Sequence, residues 1–212
     1  MGVKVYFCKN SIVEEVIVKG LLNLWLPKWI RMLEKLLLIV DVQNAIADKK
    51  PYLFDDVLSN IKTLLEKFRE LKQPIIFIRH DDGIGSEMEV NTYGWEICKE
   101  IAPLPGERII EKHFNSAFKE TVLEKELLVM NIRKLVIVGL QTEFCIDTSI
   151  RVAFEKGFEV IIPETTNSTI DGKFMSAEKI YLHHNNLFNN RFGKVIKVEE
   201  VLKELQENNV PN

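Results

Sequence analysis

The chain has 212 residues, which suits one sizeable α/β domain and is hardly enough for two. Hydrophobic residues make up 46% and charged residues 28%, as in water-soluble globular proteins, and no stretch is long and apolar enough to span a bilayer. The net charge of −3, with Lys and Arg scattered along the chain, argues against nucleic acid as a partner.

The cysteine content argues against a disulfide framework. Only Cys8, Cys98 and Cys145 occur, widely separated and without a Cys-x-x-Cys pair, so zinc binding is not indicated either. This usage predicts a reducing cytoplasm as the location and gives no reason to expect a cofactor.

Residues 1–32 are predicted to form an N-terminal extension outside the core domain, which is assigned to residues 33–207. The apolar segment 20–30 carries Trp25 and Trp29, but it lacks the features of a signal peptide. Two interpretations stay open: an interfacial or dimer-contact segment, or, as we favour, a start-site artefact or an extension beyond the core.

Strands and helices are predicted to alternate along the rest of the chain. Apolar runs predict strands at 36–41, 74–79, 107–112, 135–139, 158–163 and 195–198. Helical periodicity or capping signals predict helices at 55–71, 95–101, 117–130, 142–156 and 176–188, and a last one that ends near 205. Strands that are apolar on both faces and alternate with amphipathic helices predict a parallel sheet covered on both sides, a doubly wound three-layer α/β/α domain. Its ligand site should lie beyond the carboxyl ends of the strands.

Cys145 follows the predicted strand 135–139 and falls in the first turn of a predicted helix. Gly139 permits the sharp turn, Thr142 is a candidate N-cap, and Gly157 is a candidate stop. Backbone N–H groups at a helix start stabilise a thiolate, so Cys145 is a candidate nucleophile. The alternative is that Cys145 is small core filling, the commoner role of a free cysteine.

Two further ionisable residues end predicted strands. Asp41 ends the first strand and Lys112 the third, which places both on the same sheet edge as Cys145. A carboxylate can take the thiol proton, and an ammonium group can stabilise the thiolate that attacks a carbonyl. Alternatively, Asp41 caps a turn and Lys112 is solvated.

Three blocks carry a family resemblance: LIVDVQN at 38–44, EKHFNSAF at 111–118 and VGLQTEFCIDTSIRVA at 138–153. In their order and spacing they resemble the signature blocks of the isochorismatase-like cysteine hydrolases, and the similarity extends over about residues 33–205. The resemblance implies a six-stranded parallel sheet of order 3-2-1-4-5-6 and an Asp41–Lys112–Cys145 triad. It also implies a cis peptide at Leu140–Gln141, which would direct the N–H groups of Gln141 and Cys145 at one oxyanion.

The resemblance favours cleavage of a C–N bond in a small amide or ureide through a thioester. Isochorismate hydrolases of this family lack the cysteine, and nicotinamidases of the family carry an Asp-x-His motif and a further His for a metal. Between Asp41 and Lys112 this chain has only His80, followed by Asp81 and Asp82, which is more simply a solvated turn. We therefore predict no metal, with nicotinamidase or isochorismatase-type activity as the alternative.

Substrate contacts are predicted at Gln43, Trp95, Phe118 and Phe144, although the two phenylalanines could equally be core. The connection 81–105 is a candidate lid. A different class of function is a non-catalytic binding module or thiol sensor with this fold. The predicted partners are a small-molecule substrate and copies of the chain, as a dimer or tetramer, with neither nucleic acid nor membrane.

Overall fold

The computed structural model describes residues 35–207. The predicted N-terminal extension and its tryptophan-containing segment lie outside these residues, so that part of the domain prediction stays a prediction. Among the described residues, no helix has the length and apolar character needed to cross a membrane.

Strands and helices alternate, as the apolar patterns predict. The strands are β1 (Lys35–Val40), β2 (Ile75–His80), β3 (Arg108–Lys112), β4 (Lys134–Leu140), β5 (Glu159–Pro163), β6 (Asn167–Ser168) and β7 (Lys194–Ile196). The α-helices are α1 (Asn44–Ala47), α2 (Phe54–Glu70), α3 (Leu123–Val129), α4 (Asp147–Glu155), α5 (Ala177–Phe188) and α6 (Val198–Glu207).

The sheet is parallel, with the order β3-β2-β1-β4-β5-β7, and the two-residue β6 pairs with the end of β4. Counting only the longer strands, this is the predicted order 3-2-1-4-5-6, so the predicted fold class is confirmed. The central pair β1 and β4 is in register from Lys35 opposite Lys134 to Val40 opposite Gly139. The carboxyl ends of β1 and β4 therefore meet at the middle of one sheet edge.

Each face of the sheet has its own hydrophobic core, because successive side chains along a strand point to opposite faces. From β1, Leu36 and Leu38 enter one core, while Leu37 and Ile39 enter the other. All four are fully buried, and helix α2 packs its apolar face into the second core. Burial on both faces explains why the strands are continuous apolar runs.

Helix α3 is shorter than the predicted helix at 117–130, which is wrong over its first turns. Side-chain hydroxyls bind the backbone there instead: Ser116 Oγ accepts from Phe118 N–H at 3.1 Å, and Thr121 Oγ1 donates to the Ala117 carbonyl at 2.7 Å. Such local hydrogen bonds compete with those of a helix. Apolar spacing alone does not reveal that competition.

The connection between β2 and β3 is closely tied to the domain. The helix predicted at 95–101 is instead two separate 3₁₀ turns, Tyr93–Trp95 and Lys99–Ile101. Between them Gln43 pairs with Ile97 in an isolated bridge, and Asn44 N–H donates to the Glu96 carbonyl at 3.0 Å. This pairing interrupts the helix and fixes the connection against the start of α1.

The predicted cysteine helix is divided into two parts. Thr142–Ile146 forms a π-helical turn, and α4 follows directly. Thr142 is not an N-cap: its buried hydroxyl donates to Asn167 Oδ1 at 2.8 Å. The predicted stop is confirmed, because Gly157 has φ of +85° and the N–H of Phe158 reaches the Ala153 carbonyl at 3.1 Å, as in a Schellman motif.

Candidate active site

The structure brings together the three residues that were predicted to share one sheet edge. Lys112 Nζ lies 2.6 Å from Asp41 Oδ2 and 3.2 Å from Cys145 Sγ. The Asp41 and Lys112 side chains are 1% and 0% exposed, whereas Cys145 is only partly buried. Cys145 therefore retains some contact with solvent, while the ion pair is shielded from water.

Local backbone geometry brings Asp41 and the cysteine turn close together. Gly139 has φ of +129°, and a Cβ atom built there would lie 1.9 Å from the Val40 carbonyl oxygen, so only glycine fits beside β1. Asp41 itself has φ of +52°, a conformation in which the chain leaves the strand direction. The Leu140–Gln141 peptide is cis, as the resemblance implies.

Lys112 comes from the edge strand β3, so its side chain must cross β2 to reach Asp41, about 10 Å away at two strand spacings. His80 is the residue of β2 that lies between them, in register with Lys112. His80 Nδ1 is 2.7 Å from Lys112 Nζ, and His80 Nε2 is 2.7 Å from Asp82 Oδ1. Together, Asp41, His80, Lys112 and Cys145 form what we call the strand-end cluster.

The sequence interpretation missed His80 as a member of this site. It placed His80 and the two following aspartates in a solvated turn, but His80 is buried and is the last residue of β2. The signal was present, because the strand-end rule that selected Asp41 and Lys112 applies equally to the strand between them.

The surroundings of Cys145 favour the neutral form of its thiol. Burial raises the pKa of Cys145 well above its ordinary value, the negative charge of Asp41 adds to the rise, and Lys112 opposes it. Burial and Asp41 thus act against the thiolate that the helix start is predicted to stabilise, and Lys112 acts for it. Burial likewise raises the pKa of Asp41, against the opposing charge of Lys112.

The Lys112 ammonium occupies the centre of a group that could otherwise hold a metal ion. Candidate ligand atoms of Asp41, His80 and Cys145 all lie within 4.8 Å of one another. Lys112 Nζ is 2.6 Å from Asp41 Oδ2, 2.7 Å from His80 Nδ1 and 3.2 Å from Cys145 Sγ, so an ammonium cation already lies among them. These residues therefore do not fit a metal while Lys112 is in place.

The other metal candidates, Asp81 and Asp82, bind different groups. Asp81 Oδ1 accepts from Gly83 N–H at 2.8 Å, and its Oδ2 lies 3.3 Å from His113 Nδ1. Asp82 instead binds His80 Nε2. The three consecutive residues His80, Asp81 and Asp82 do not point their side chains at one common position.

Gln43, a predicted substrate contact, is completely buried and bonded to the backbone. Its Nε2 donates to the carbonyls of His80 and Trp95, each at 2.9 Å, and its Oε1 accepts from His80 N–H at 2.8 Å. Gln43 thus holds the end of β2 and the following connection beside α1.

The three aromatic pocket candidates lie in different environments. Phe118 is buried in the core and packs on Phe158, with ring centroids 6.1 Å apart. Phe144 is 48% exposed and precedes Cys145 directly. The Trp95 ring stacks on the Arg79 guanidinium at 3.3 Å, and its buried Nε1 has no hydrogen-bond partner among the described residues. Trp95 therefore retains an unused donor.

A buried hydrogen-bond network connects the cysteine turn to β6 and α5. Beyond the Thr142 hydroxyl, Asn167 and Asn185 exchange side-chain hydrogen bonds at 3.0 and 3.1 Å. Asn185 Nδ2 also donates to the Tyr181 carbonyl at 2.9 Å. Since buried amides are costly to leave unpaired, this closed network fixes the turn relative to β6 and α5.

The family model of the isochorismatase domain matches residues 35–200, which is most of the chain. The chain belongs to the isochorismatase family. That assignment agrees with the three sequence blocks, which contribute three of the four members of the strand-end cluster.

Individual relatives support the same assignment. Nicotinamidase 3 of Arabidopsis thaliana is 29% identical over 74% of this chain and 80% of its own length. Ureidoacrylate amidohydrolase RutB of Cronobacter turicensis is 26% identical over 62% of this chain and 73% of its own. The crystal structure of an isochorismatase from Pseudomonas putida is 25% identical, with a TM-score of 0.75 over 80% of this chain and 90% of that one.

Proposed function

We propose that this isochorismatase-family hydrolase cleaves a C–N bond of a small amide or ureide through a thioester on Cys145. The observation that carries the proposal is the Lys112 ammonium, which lies 2.6 Å from Asp41 Oδ2 and 3.2 Å from Cys145 Sγ. A carboxylate, a cation and a thiol that meet at one partly open position are the groups that covalent acyl transfer needs. Two relatives are named for nicotinamide and ureidoacrylate hydrolysis, which are both C–N cleavages.

In the first half of the reaction, Asp41 takes the thiol proton as the sulfur attacks the substrate carbonyl carbon. The raised pKa of Asp41 suits a carboxyl that must both accept and return a proton. As the proton moves, negative charge shifts from the Asp41 carboxylate oxygen to the Cys145 sulfur, and the Lys112 ammonium stabilises it on both. The proton then moves from Asp41 to the substrate nitrogen, the C–N bond breaks, and ammonia or an amine leaves.

In the second half, water attacks the thioester carbonyl carbon while Asp41 accepts one water proton. The C–S bond breaks, the sulfur regains that proton from Asp41, and a carboxylic or carbamic acid leaves. In both halves the negatively charged carbonyl oxygen is assigned to the backbone N–H groups of Gln141 and Cys145. Gln141 directly precedes the π-helical turn, and Cys145 lies within it.

Substrate recognition is assigned to Trp95 and Phe144 rather than to all four predicted contacts. Trp95 has the unused Nε1 donor, and Phe144 exposes its ring beside the nucleophile. Gln43 has its amide engaged with the backbone and Phe118 packs in the core, so we assign both to support of the site.

The deciding experiment is ammonia release from a panel of small amides and ureides by the wild type and by Cys145→Ala. We expect release by the wild type, and a loss of at least about 1,000-fold in the variant, because the nucleophile is removed. Cys98→Ala is the matched control, since Cys98 packs in the other hydrophobic core from Cys145 and should leave turnover unchanged. Equal release by Cys145→Ala would exclude the thioester mechanism.

Nicotinamidase activity is the second candidate, favoured by the match to Nicotinamidase 3. If a metal were required, a chelator would abolish nicotinamide hydrolysis, and added metal would restore it. We expect a chelator to leave turnover unchanged, because Lys112 occupies the centre of the candidate ligand group. An isochorismatase-type reaction is less favoured, because the cysteine is present in the site.

A catalytically idle binding module or thiol sensor remains the contrasting class. Cys145 and Cys98 are both free thiols, but the raised pKa of Cys145 disfavours the thiolate that an oxidation sensor needs. We further propose a cytoplasmic enzyme that takes a small-molecule substrate, without nucleic acid or membrane as partner. Its proposed assembly is a dimer or tetramer.

A further inference from the structure

A continuous line of polar contacts leads from solvent to the buried lysine. Asp82, whose side chain is 49% exposed, binds His80 Nε2 at 2.7 Å, and His80 is only 9% exposed. On the other side of the ring, His80 Nδ1 lies 2.7 Å from Lys112 Nζ. The proposed mechanism gives neither His80 nor Asp82 a role.

The two partners together determine which ring nitrogen of His80 carries the proton. A carboxylate only accepts hydrogen bonds, so His80 Nε2 must donate to Asp82. An ammonium group only donates, so His80 Nδ1 must accept from Lys112. Neutral His80 with its proton on Nε2 satisfies both contacts at once.

With that arrangement the Lys112 ammonium faces three polar atoms, two of them as hydrogen-bond partners and one as an ion-pair partner. The partners are Asp41 Oδ2, His80 Nδ1 and Cys145 Sγ, at 2.6, 2.7 and 3.2 Å. The Asp41 contact is an ion pair outside hydrogen-bond angles, so His80 is the shortest well-directed acceptor of the three. Because Lys112 is fully buried, water cannot replace a lost partner without opening the site.

The backbone around His80 is held as firmly as its ring. Gln43 binds both the N–H and the carbonyl of His80, at 2.8 and 2.9 Å. His80 thus has little freedom to follow Lys112, and a fixed acceptor determines where the ammonium lies.

We propose that His80, oriented by Asp82, is a positioning residue that holds the Lys112 ammonium between Asp41 and Cys145. Its effect on turnover rests on the proposed function, whereas its effect on the Cys145 thiol does not. His80 makes no contact with the reacting atoms in this assignment and acts through Lys112.

Three variants separate an acceptor role from simple packing. His80→Leu removes the acceptor, and His80→Asn places an amide oxygen near the position of Nδ1. His113→Leu is the matched control, because His113 also lies near an aspartate, Asp81 at 3.3 Å, but its side chain is 66% exposed. Alkylation of Cys145 by iodoacetamide, followed on its own peptide by mass spectrometry over a range of pH, reports the thiol without any substrate. Turnover of the best amide gives kcat and KM.

For His80→Leu we expect the alkylation profile to move to higher pH and kcat to fall by about 10- to 100-fold with little change in KM, as for loss of a hydrogen bond to a charged group. His80→Asn should recover most of both properties, and His113→Leu should match the wild type. Asp82→Ala should give a smaller loss, about 3- to 10-fold in kcat, because His80 can then shift its proton to Nδ1.

The proposal is overturned if His80→Leu behaves like His113→Leu in alkylation, or if His80→Asn is folded and as impaired as His80→Leu. If His80→Leu fails to fold, the test rests on His80→Asn and on Asp82→Ala, which changes a half-exposed side chain. A wild-type alkylation profile in Asp82→Ala excludes the orienting role of Asp82. A wild type that releases no ammonia from any substrate counts against the proposed function alone, because the alkylation comparison is unaffected.

Discussion

The two ends of strand β3 carry ion pairs of nearly the same length in opposite surroundings. At its start, Arg108 binds Glu126 at 2.6 Å, and these side chains are 52% and 28% exposed. At its end, Lys112 lies 2.6 Å from Asp41, with side chains 0% and 1% exposed. Water screens the first pair and makes it a minor contributor to stability. Burial leaves the second pair unscreened, so its charges control the protons of their neighbours.

The contrast explains why the same kind of contact has chemical consequences at one end only. Burial raises the pKa of Asp41 and of Cys145, whereas Glu126 raises the pKa of the exposed Arg108, a group that is charged in any case. Catalytic proton transfer needs groups whose protonation can change near the working pH. At the buried end of β3 the raised pKa moves Asp41 toward that range, whereas the raised pKa of Cys145 keeps the proton on the thiol until Asp41 accepts it.

The largest difference between the two ion pairs should appear when the cation of each pair is removed. Lys112→Met should abolish turnover and lower the free energy of unfolding by about 3–5 kcal/mol, because Asp41 is left buried without its partner. Arg108→Met should change stability by about 1 kcal/mol or less and leave turnover unchanged. Urea unfolding and ammonia release measure both variants. Equal losses of stability would show that burial does not distinguish the two pairs.

The next largest difference should appear when the carboxylate of each pair is neutralised, which separates the effect on catalysis from the effect on stability. Asp41→Asn should lower kcat by about 100- to 10,000-fold, because an amide cannot accept the thiol proton, while substrate still binds. Glu126→Gln should leave kcat as in the wild type. Steady-state kinetics and a direct binding measurement test the pair. Unaltered turnover in Asp41→Asn would remove Asp41 from the mechanism.

A pH titration of stability should give a smaller, distinctive effect. The pKa of Cys145 is raised in the folded state from the ordinary value of 9.0, so the unfolded chain loses its thiol proton first. The contribution of the Cys145 thiol to the free energy of unfolding is therefore fully present below pH 9.0 and is lost as the pH rises above that value. Cys145→Ala should remove about 1.4 kcal/mol per pH unit from the alkaline slope of the free energy of unfolding. Arg108→Met should retain the wild-type slope, and an unchanged slope in Cys145→Ala would contradict the raised pKa.

Salt should produce the smallest of these differences between the ion pairs at the two ends of β3. High ionic strength screens exposed charges and leaves buried ones largely unaffected. The stability loss of Arg108→Met should therefore shrink in high salt, while that of Lys112→Met should not. Repeating the urea titrations at two salt concentrations measures this, and a parallel change in both variants would indicate that water reaches Lys112.

The fold was determined almost entirely by local sequence patterns. Apolar runs such as the one through Leu37 and Ile39 give strands that must be buried on both faces, and alternation with amphipathic helices leaves a parallel three-layer domain as the solution. The same patterns placed Asp41, Lys112 and Cys145 at one edge, because parallel strands end together. The family resemblance added the strand order and the cis peptide.

Tertiary structure alone decided the contacts and the protonation of the site. The roles of His80 and Gln43 depend on which strand lies between β1 and β3 and on which backbone groups remain to be bonded. The raised pKa of the Cys145 thiol depends on burial and on the nearby Asp41 charge, which outweigh the opposing effect of Lys112. Sequence spacing determines which residues reach the same edge, but hydrogen bonding and desolvation depend on distances between atoms that only the folded chain brings together.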